Sequence, residues 1–195
     1  MIQDKSRVAR VRQAATMAAN RYHRSLVVLH WTTLALVALV YACMELRGFA
    51  PRGSGVRTLM RAAHVQLGTL VFGLTALRLA LRWTHGAPPI VPAPGFAVRA
   101  AAAALHACLY ALLLALPLLG WLMLGAEGRG VAFLGIDWPP LIATDRALAH
   151  RLEELHELLA NIGYALIGLH AAAALAHHWL FRDDTLRRMG LARRG

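Results

Sequence analysis

Four long apolar blocks restrict the fold of this chain more than any other feature of its sequence. They cover roughly residues 26–45, 62–81, 98–124 and 155–181, in a chain of 195 residues that is 58% hydrophobic. A helix needs about 20 apolar residues to cross the roughly 30 Å hydrocarbon core of a bilayer, and a soluble core needs no runs of this length. Their Ala and Leu content favours helix over strand. The sequence therefore predicts an all-α, integral membrane four-helix bundle.

The basic residues predict how the bundle is oriented. Most of the 21 lysines and arginines lie in the N-terminal segment, the second connection and the C-terminal tail, and fewer lie at the opposite ends of the spans. Because Lys and Arg near span ends favour the cytoplasmic side, we expect both termini to be cytoplasmic. The net charge of +11 flanks apolar spans, so membrane lipid and not nucleic acid is the expected partner.

One membrane domain is expected over residues 21–189, between two short basic segments. Residues 1–20 lack the apolar stretch of a signal peptide, so we expect a mobile basic extension there and a basic tail over residues 190–195. The third connection is expected to include a short interfacial helix over residues 131–136. The two cysteines form no Cys-x-x-Cys-His motif, which excludes c-type haem attachment.

Four histidines fall at two depths of the predicted bundle. His30 lies near the cytoplasmic start of the first span, His64 near the periplasmic start of the second, and His156 and His170 lie in the fourth. Fourteen residues of helix rise about 21 Å and return to within about 40° of the starting direction, so His156 and His170 share one face. Depth then pairs His64 with His156, and His30 with His170. Two pairs of inward-facing imidazoles at two depths are what two bis-histidine haems require.

Other roles for these histidines stay open at this point. A lone histidine near a span end is commonly an interfacial or hydrogen-bonded residue. A zinc site needs more ligands than one pair supplies. A proton relay usually includes buried carboxylates, and only Glu45 and Glu157 at span ends are available. His106 in the third span is expected to be structural, or else to contact a haem.

Three further residues of the fourth span are candidate cofactor contacts. Gly163 lies midway between His156 and His170 on the same face, where it would leave room for the edge of a flat ligand. His177 continues the seven-residue series and is followed by Trp179. Both residues either belong to the polar and aromatic belt at the lipid headgroups or line a quinone pocket, in which the imidazole would hydrogen-bond a quinone carbonyl.

From residue 21 to residue 189 the sequence resembles the bacterial cytochrome b561 family. The similarity is carried by RYHRSLVVLHW at the start of the first span, YACMELRGF at its end, HVQLG in the second span and LHELLANIGYALIGLHAAAALAHHWLF in the fourth. The stretch in the fourth span is the most specific part. Members of the family with this pattern are called superoxide oxidases.

This resemblance implies a multi-pass protein of the bacterial inner membrane with two non-covalent haems b. The family's haem ligands fall on His30, His64, His156 and His170, in agreement with the pairing by depth. The implied activity takes an electron from superoxide on the periplasmic side and passes it to ubiquinone, and it requires no partner protein.

The family also has a quinone-associated histidine, which falls on His177. A few residues later the family has a tryptophan where this chain has Arg182, and Trp179 is the candidate substitute.

The first connection carries basic residues that suit an anionic substrate such as superoxide. We expect Arg47, Arg52, Arg57 and Arg61 on the periplasmic side, against only Glu45. A basic entrance raises the encounter rate of an anion, with a strong dependence on salt. The same arginines would also suit lipid headgroups or haem propionates.

Two alternative functions remain. The first is a haem b electron-transfer subunit that links a partner dehydrogenase or hydrogenase to the quinone pool. The second, outside the enzymes, is a haem-free four-helix transporter or scaffold.

Overall fold

Four long helices form the described part of the protein. The computed structural model describes residues 21–190. The expected N-terminal extension and residues 191–195 of the expected tail lie outside the described residues. The long helices are α1 (Arg24–Arg47), α2 (Gly55–His85), α3 (Phe96–Ala126) and α4 (Arg146–Trp179), and a short α5 (Thr185–Arg188) follows. All four long helices have the length and apolar character of membrane spans, which confirms the predicted four-helix membrane fold.

Polar residues and a glycine mark the helix ends. The Ser54 hydroxyl accepts a hydrogen bond from the Arg57 N–H at the start of α2, at 3.3 Å, and the Asp145 carboxylate accepts one from the Leu148 N–H at the start of α4, at 3.0 Å. These bonds satisfy N–H groups that have no partner within the helix. Gly86 follows the last residue of α2, and its φ of +67° is costly for residues that carry a Cβ.

A β-hairpin replaces the helix expected in the third connection. Strand β1 (Val131–Phe133) pairs antiparallel with β2 (Ile136–Trp138). Leu134 and Gly135, between the strands, have φ of +50° and +78°. Two successive residues with positive φ form a tight turn whose twist matches that of a hairpin, and they cannot continue a helix. The prediction of a helix over residues 131–136 is therefore wrong.

The long helices alternate in direction, so the bundle has two distinct ends. At the terminal end (residues 21–31 and 182–190), the Trp31 indole N–H donates to the Met189 carbonyl, 3.2 Å away. At the hairpin end (residues 48–54 and 127–145), Trp138 of β2 stacks on Trp121 of α3 with ring centres 6.4 Å apart. Helix α1 packs on α2, α2 on α3, and α3 on α4.

The outer surface of the long helices is apolar. Leu39, Leu77, Leu158 and Leu169, one or two from each of three helices, are all exposed large hydrophobic residues. Backbone polar groups within a helix are hydrogen-bonded to each other, so such a surface can face lipid without unpaired N–H or C=O groups.

Candidate functional site

Two histidine pairs lie at the two ends of the bundle, as the depths of these residues predict. The ring centres of His30 and His170, the terminal-end pair, are 6.2 Å apart. Those of His64 and His156, the hairpin-end pair, are 6.1 Å apart. A metal–nitrogen bond to imidazole is about 2 Å long and the ring centre lies about 1 Å beyond the nitrogen, so two imidazoles on opposite sides of one iron have centres about 6 Å apart. Both pairs therefore fit bis-histidine ligation of a haem iron.

The hairpin-end pair is held in place by its surroundings. Nδ1 of His64 lies 3.1 Å from the carbonyl of Val40 in α1, to which it donates a hydrogen bond as a neutral imidazole with its proton on Nδ1. This bond leaves Nε2 as the nitrogen available to a metal. Gly120 of α3 lies against the other ring, because a Cβ built there would be 3.6 Å from Cε1 of His156.

The terminal-end pair borders a cavity of about 420 Å³, which His30, His170 and His106 all line. Cofactor sites commonly have volumes of about 300–1,000 Å³. Residues of all four long helices line the cavity, which continues towards the terminal end, where Tyr22 and Arg188 also line it. A flat cofactor held by the two imidazoles has space on this side of the bundle.

His106 competes with His30 for the position opposite His170. The His106 ring centre is 5.2 Å from that of His170, which is closer than the separation of about 6 Å that two imidazoles on one iron require. Its Nδ1 is 2.7 Å from the Ala102 carbonyl one turn earlier in α3. The geometry therefore favours His30 as the opposite ligand and His106 as a residue of the pocket wall.

Gly163 lies between the two pairs on α4, and its neighbour is a tyrosine. The Tyr41 hydroxyl donates a hydrogen bond to the Ala160 carbonyl, at 2.8 Å, and occupies the space that a Cβ on Gly163 would need. The Tyr41 ring also lies 4.3 Å from that of Tyr164, whose hydroxyl is 2.7 Å from a Glu45 carboxylate oxygen. The space that the sequence assigns to a ligand edge thus holds a tyrosine of α1.

A buried aspartate contacts His177 at the terminal end, and sequence reasoning missed it. Nδ1 of His177 is 2.5 Å from a carboxylate oxygen of Asp183, which is only 5% exposed. The other carboxylate oxygen accepts a hydrogen bond from the Thr185 N–H at 2.9 Å. Burial of the carboxyl would raise its pKa, but the hydrogen bonds from Thr185 and His177 outweigh burial, so the pKa of Asp183 lies below its usual value.

The two predicted quinone contacts occupy different places. His177 lines the larger cavity, whereas Trp179 is 69% exposed and does not line it. The position of Trp179 suits the aromatic belt at a membrane surface.

The contact between Asp183 and His177 should stabilise the protein in a pH-dependent way. A carboxyl whose pKa is lowered by folding contributes stability above its unfolded pKa of about 4, and this contribution is lost as the pH falls through the folded pKa. Asp183→Asn should therefore lower the thermal midpoint of the detergent-solubilised protein at about pH 7, and its effect should shrink as the pH falls below about 4. Thermal unfolding followed by circular dichroism measures both values.

The matched control is Glu157→Gln, which removes an exposed carboxylate from α4. It should leave the thermal midpoint nearly unchanged at both pH values. An Asp183→Asn effect of equal size at low and neutral pH would show that the carboxylate charge is not responsible.

The four arginines of the first connection differ in their contacts. The Arg57 guanidinium donates to the carbonyls of Arg47 and Ala50, at 3.5 and 3.3 Å, so it ties the connection together. Arg61 forms a 3.3 Å ion pair with Glu127, an acidic residue far from it in the sequence. Arg52 is exposed, and Arg47 is partly buried at the end of α1.

The chain is similar to several known cytochromes. The family model described as prokaryotic cytochrome b561 matches residues 21–191. "Cytochrome b561 homolog 1" of Escherichia coli (strain K12) is 42% identical over 170 residues, which are 87% of this chain and 97% of that protein. "Probable superoxide oxidase CybB" of Yersinia pestis is 37% identical over 167 residues, 86% of this chain and 94% of that protein. "Cytochrome b562" of Cereibacter sphaeroides is 30% identical over 177 residues, with 86% and 94% covered.

The family match extends over all four long helices, and both histidine pairs lie inside it. Together with the apolar helices, it makes the chain a multi-pass bacterial membrane protein that binds haem b and transfers electrons. The protein therefore belongs to the prokaryotic cytochrome b561 family.

Proposed function

We propose that this protein is a superoxide:ubiquinone oxidoreductase that holds one haem b between His64 and His156 and another between His30 and His170. The observation that carries the proposal is the spacing of the two imidazole pairs, 6.1 and 6.2 Å between ring centres, at opposite ends of one bundle. When bound, each haem stores and releases one electron. The 37% identical relative from Yersinia pestis is named a probable superoxide oxidase, which supports superoxide as the electron donor.

In the proposed orientation the hairpin end faces the periplasm and the terminal end faces the cytoplasm, across the bacterial inner membrane. The excess of Lys and Arg near the terminal end supports this orientation. The hairpin-end pair then lies nearer the source of superoxide, and the terminal-end pair lies nearer the cavity proposed for ubiquinone.

Superoxide would be attracted to the hairpin end by its arginines. Arg57 and Arg61 are already held by backbone carbonyls and by Glu127, so exposed Arg52 and partly buried Arg47 are the better candidates for steering an anion. Each superoxide loses one electron and leaves as oxygen without taking up a proton. No acid or base is therefore needed at this end.

Ubiquinone would be reduced at the terminal end, beside His177. Reduction to ubiquinol takes two electrons, from two superoxide ions, and two protons from the cytoplasmic side. Because Nδ1 of His177 faces the Asp183 carboxylate, a quinone carbonyl would meet Nε2, which donates a hydrogen bond to it when the imidazole is doubly protonated. The Asp183 carboxylate would stabilise the imidazole each time it carries a proton.

The test is a pulse of superoxide onto the oxidised, purified holoprotein, with the haem absorbance bands followed in time. We expect fast reduction, followed by reoxidation when a ubiquinone analogue is added. Haem that is present but stays oxidised would favour the alternative in which a partner dehydrogenase or hydrogenase supplies the electrons. Protein that binds no haem would reject both functions and leave a haem-free transporter or scaffold.

Removing the exposed arginine at the hairpin end should slow this reaction. We expect Arg52→Ala to lower the rate of haem reduction by superoxide about two- to tenfold at low salt, and to weaken its salt dependence, because steering acts through charge. The control Arg187→Ala removes an exposed arginine from the terminal end and should not change the rate. Equal slowing by both variants would mean that net charge, and not the position of Arg52, controls the encounter.

A further inference from the structure

Arg78 lies within α2 and not at either of its ends. Arg78 precedes His85, the last residue of α2, by seven residues, which is about 10 Å at 1.5 Å per residue. A charged side chain within a membrane span is costly, and such residues usually face the bundle interior and serve a function. Arg78 is partly buried, and its guanidinium carbon lies 5.6 Å from the centre of the Tyr110 ring of α3. That aromatic contact holds the charge inside the bundle.

Arg78 borders the terminal-end histidine pair. It lines the cavity of about 420 Å³ and a second cavity of about 80 Å³, and His30, His106 and His170 line both as well. Because they share these cavities, the charge of Arg78 is close enough to act on His30 and His170. A redox centre held by these two imidazoles would therefore be next to a fixed positive charge.

The charged groups lining the larger cavity have one sign. In the described part of the chain its lining includes no Asp or Glu, and it includes four arginines: Arg78, Arg82, Arg99 and Arg188. Arg188 is 4% exposed, and its Nε has no hydrogen-bond partner among residues 21–190. The carboxylates that a haem b carries are the cofactor groups that suit the arginines nearer the terminal end. Arg78 lies deeper, at the level of the imidazoles.

The hairpin-end pair has a more balanced charge environment. Arg47 is the last residue of α1, at the hairpin end, where water and salt screen its charge. Glu45, hydrogen-bonded to Tyr164, adds a negative charge close to it in the chain. Charges act more strongly where water is excluded, so Arg78 outweighs Arg47 in its effect on a neighbouring centre.

We propose that Arg78 orders the two redox centres, so that the terminal-end centre is easier to reduce than the hairpin-end centre. This inference rests on the proposed binding of two haems, and it does not depend on superoxide or ubiquinone as substrates. The reduced centre carries one more negative charge than the oxidised one, so a nearby guanidinium stabilises the added electron. Electrons then move from the hairpin end to the terminal end down a gradient that one side chain sets.

The experiment is a potentiometric redox titration of the purified holoprotein, with haem content measured in the same sample. The single-haem variants His156→Ala and His170→Ala assign each reduction step to one end. We expect Arg78→Gln to make the terminal-end centre harder to reduce. Its reduction equilibrium constant should fall at least about tenfold, which lowers its midpoint potential by about 59 mV for one electron. Arg78→Lys keeps the charge, so its terminal-end potential should stay close to that of the unmodified protein. The potential of the hairpin-end centre should hardly change in either variant.

The matched control is Arg146→Gln, which removes an exposed arginine from the start of α4. It should leave the midpoint potentials of both centres unchanged. Two bound haems whose potentials are unchanged in Arg78→Gln would overturn the inference, as would equal shifts of both steps. If Arg78→Gln loses a haem, Tyr110→Leu is used instead, because it removes the ring beside the guanidinium. That variant must lower the midpoint potential of the terminal-end centre. An unchanged potential would also overturn the inference.

The titration separates this inference from the proposed function. Fewer than two haems in the unmodified protein would reject the proposed function itself. Two haems with the expected shift, in a protein that superoxide does not reduce, would leave the ordering by Arg78 intact and reject only the donor.

Discussion

Replacing His170 with alanine should lower the haem content of the purified protein from two per chain to one. In the structure the ring centres of His170 and His30 are 6.2 Å apart, so this change removes one of the two imidazoles of the terminal-end pair. His156→Ala should remove the other haem, because its partner His64 lies 6.1 Å away at the opposite end. The pyridine haemochrome spectrum, divided by the protein concentration, measures each loss. The spectrum of the double variant should contain no haem b.

Two controls make the assignment specific. His178→Ala removes a neighbouring imidazole from α4, and both haems should remain. His106→Ala tests the rival ligand, since its ring lies 5.2 Å from that of His170. We expect His30→Ala to lose a haem and His106→Ala to keep two. The reverse result would assign the position opposite His170 to His106 and would refute the pairing by depth at the terminal end.

Adding one methyl group at Gly163 should destabilise the bundle. A Cβ there collides with the Tyr41 hydroxyl, which would have to move and give up its 2.8 Å bond to the Ala160 carbonyl. Overpacking and the loss of a hydrogen bond in a buried place each cost about 1–3 kcal/mol, so we expect Gly163→Ala to lower the stability by about 2–4 kcal/mol. The measurement is thermal or denaturant unfolding in detergent micelles, followed by circular dichroism and by release of haem.

The same helix offers a matched control and a rescue. Gly168→Ala introduces its Cβ into open space, so it should be neutral or slightly stabilising through helix propensity. Tyr41→Phe removes the hydroxyl that the new methyl group meets, so Gly163→Ala combined with Tyr41→Phe should lose less stability than the sum of the single variants. Strict additivity would show that the two residues do not share this space.

The histidine pairs were predictable from the sequence, because they depend on helix geometry alone. Apolar blocks of about 20 residues specify spans, and the repeat of 3.6 residues per turn puts His156 and His170 on one face. Once the spans alternate in direction, depth leaves little choice about which imidazoles meet. The hairpin at Val131–Phe133 and Ile136–Trp138 was not predicted, because a three-residue strand has no periodicity and its turn depends on the positive φ of Leu134 and Gly135.

By itself, therefore, the sequence determined the spans, the family and the depths of the four histidines, since rise per residue and apolar length act locally along each helix. The tertiary structure decided which side chains from distant segments fill the spaces between those helices. It put Tyr41 beside Gly163 and Tyr110 beside Arg78, and it folded the chain after α4 back so that Asp183 contacts His177. Helix periodicity does not specify such contacts, because they depend on the rotation and spacing of packed helices and on how the chain turns after a helix ends.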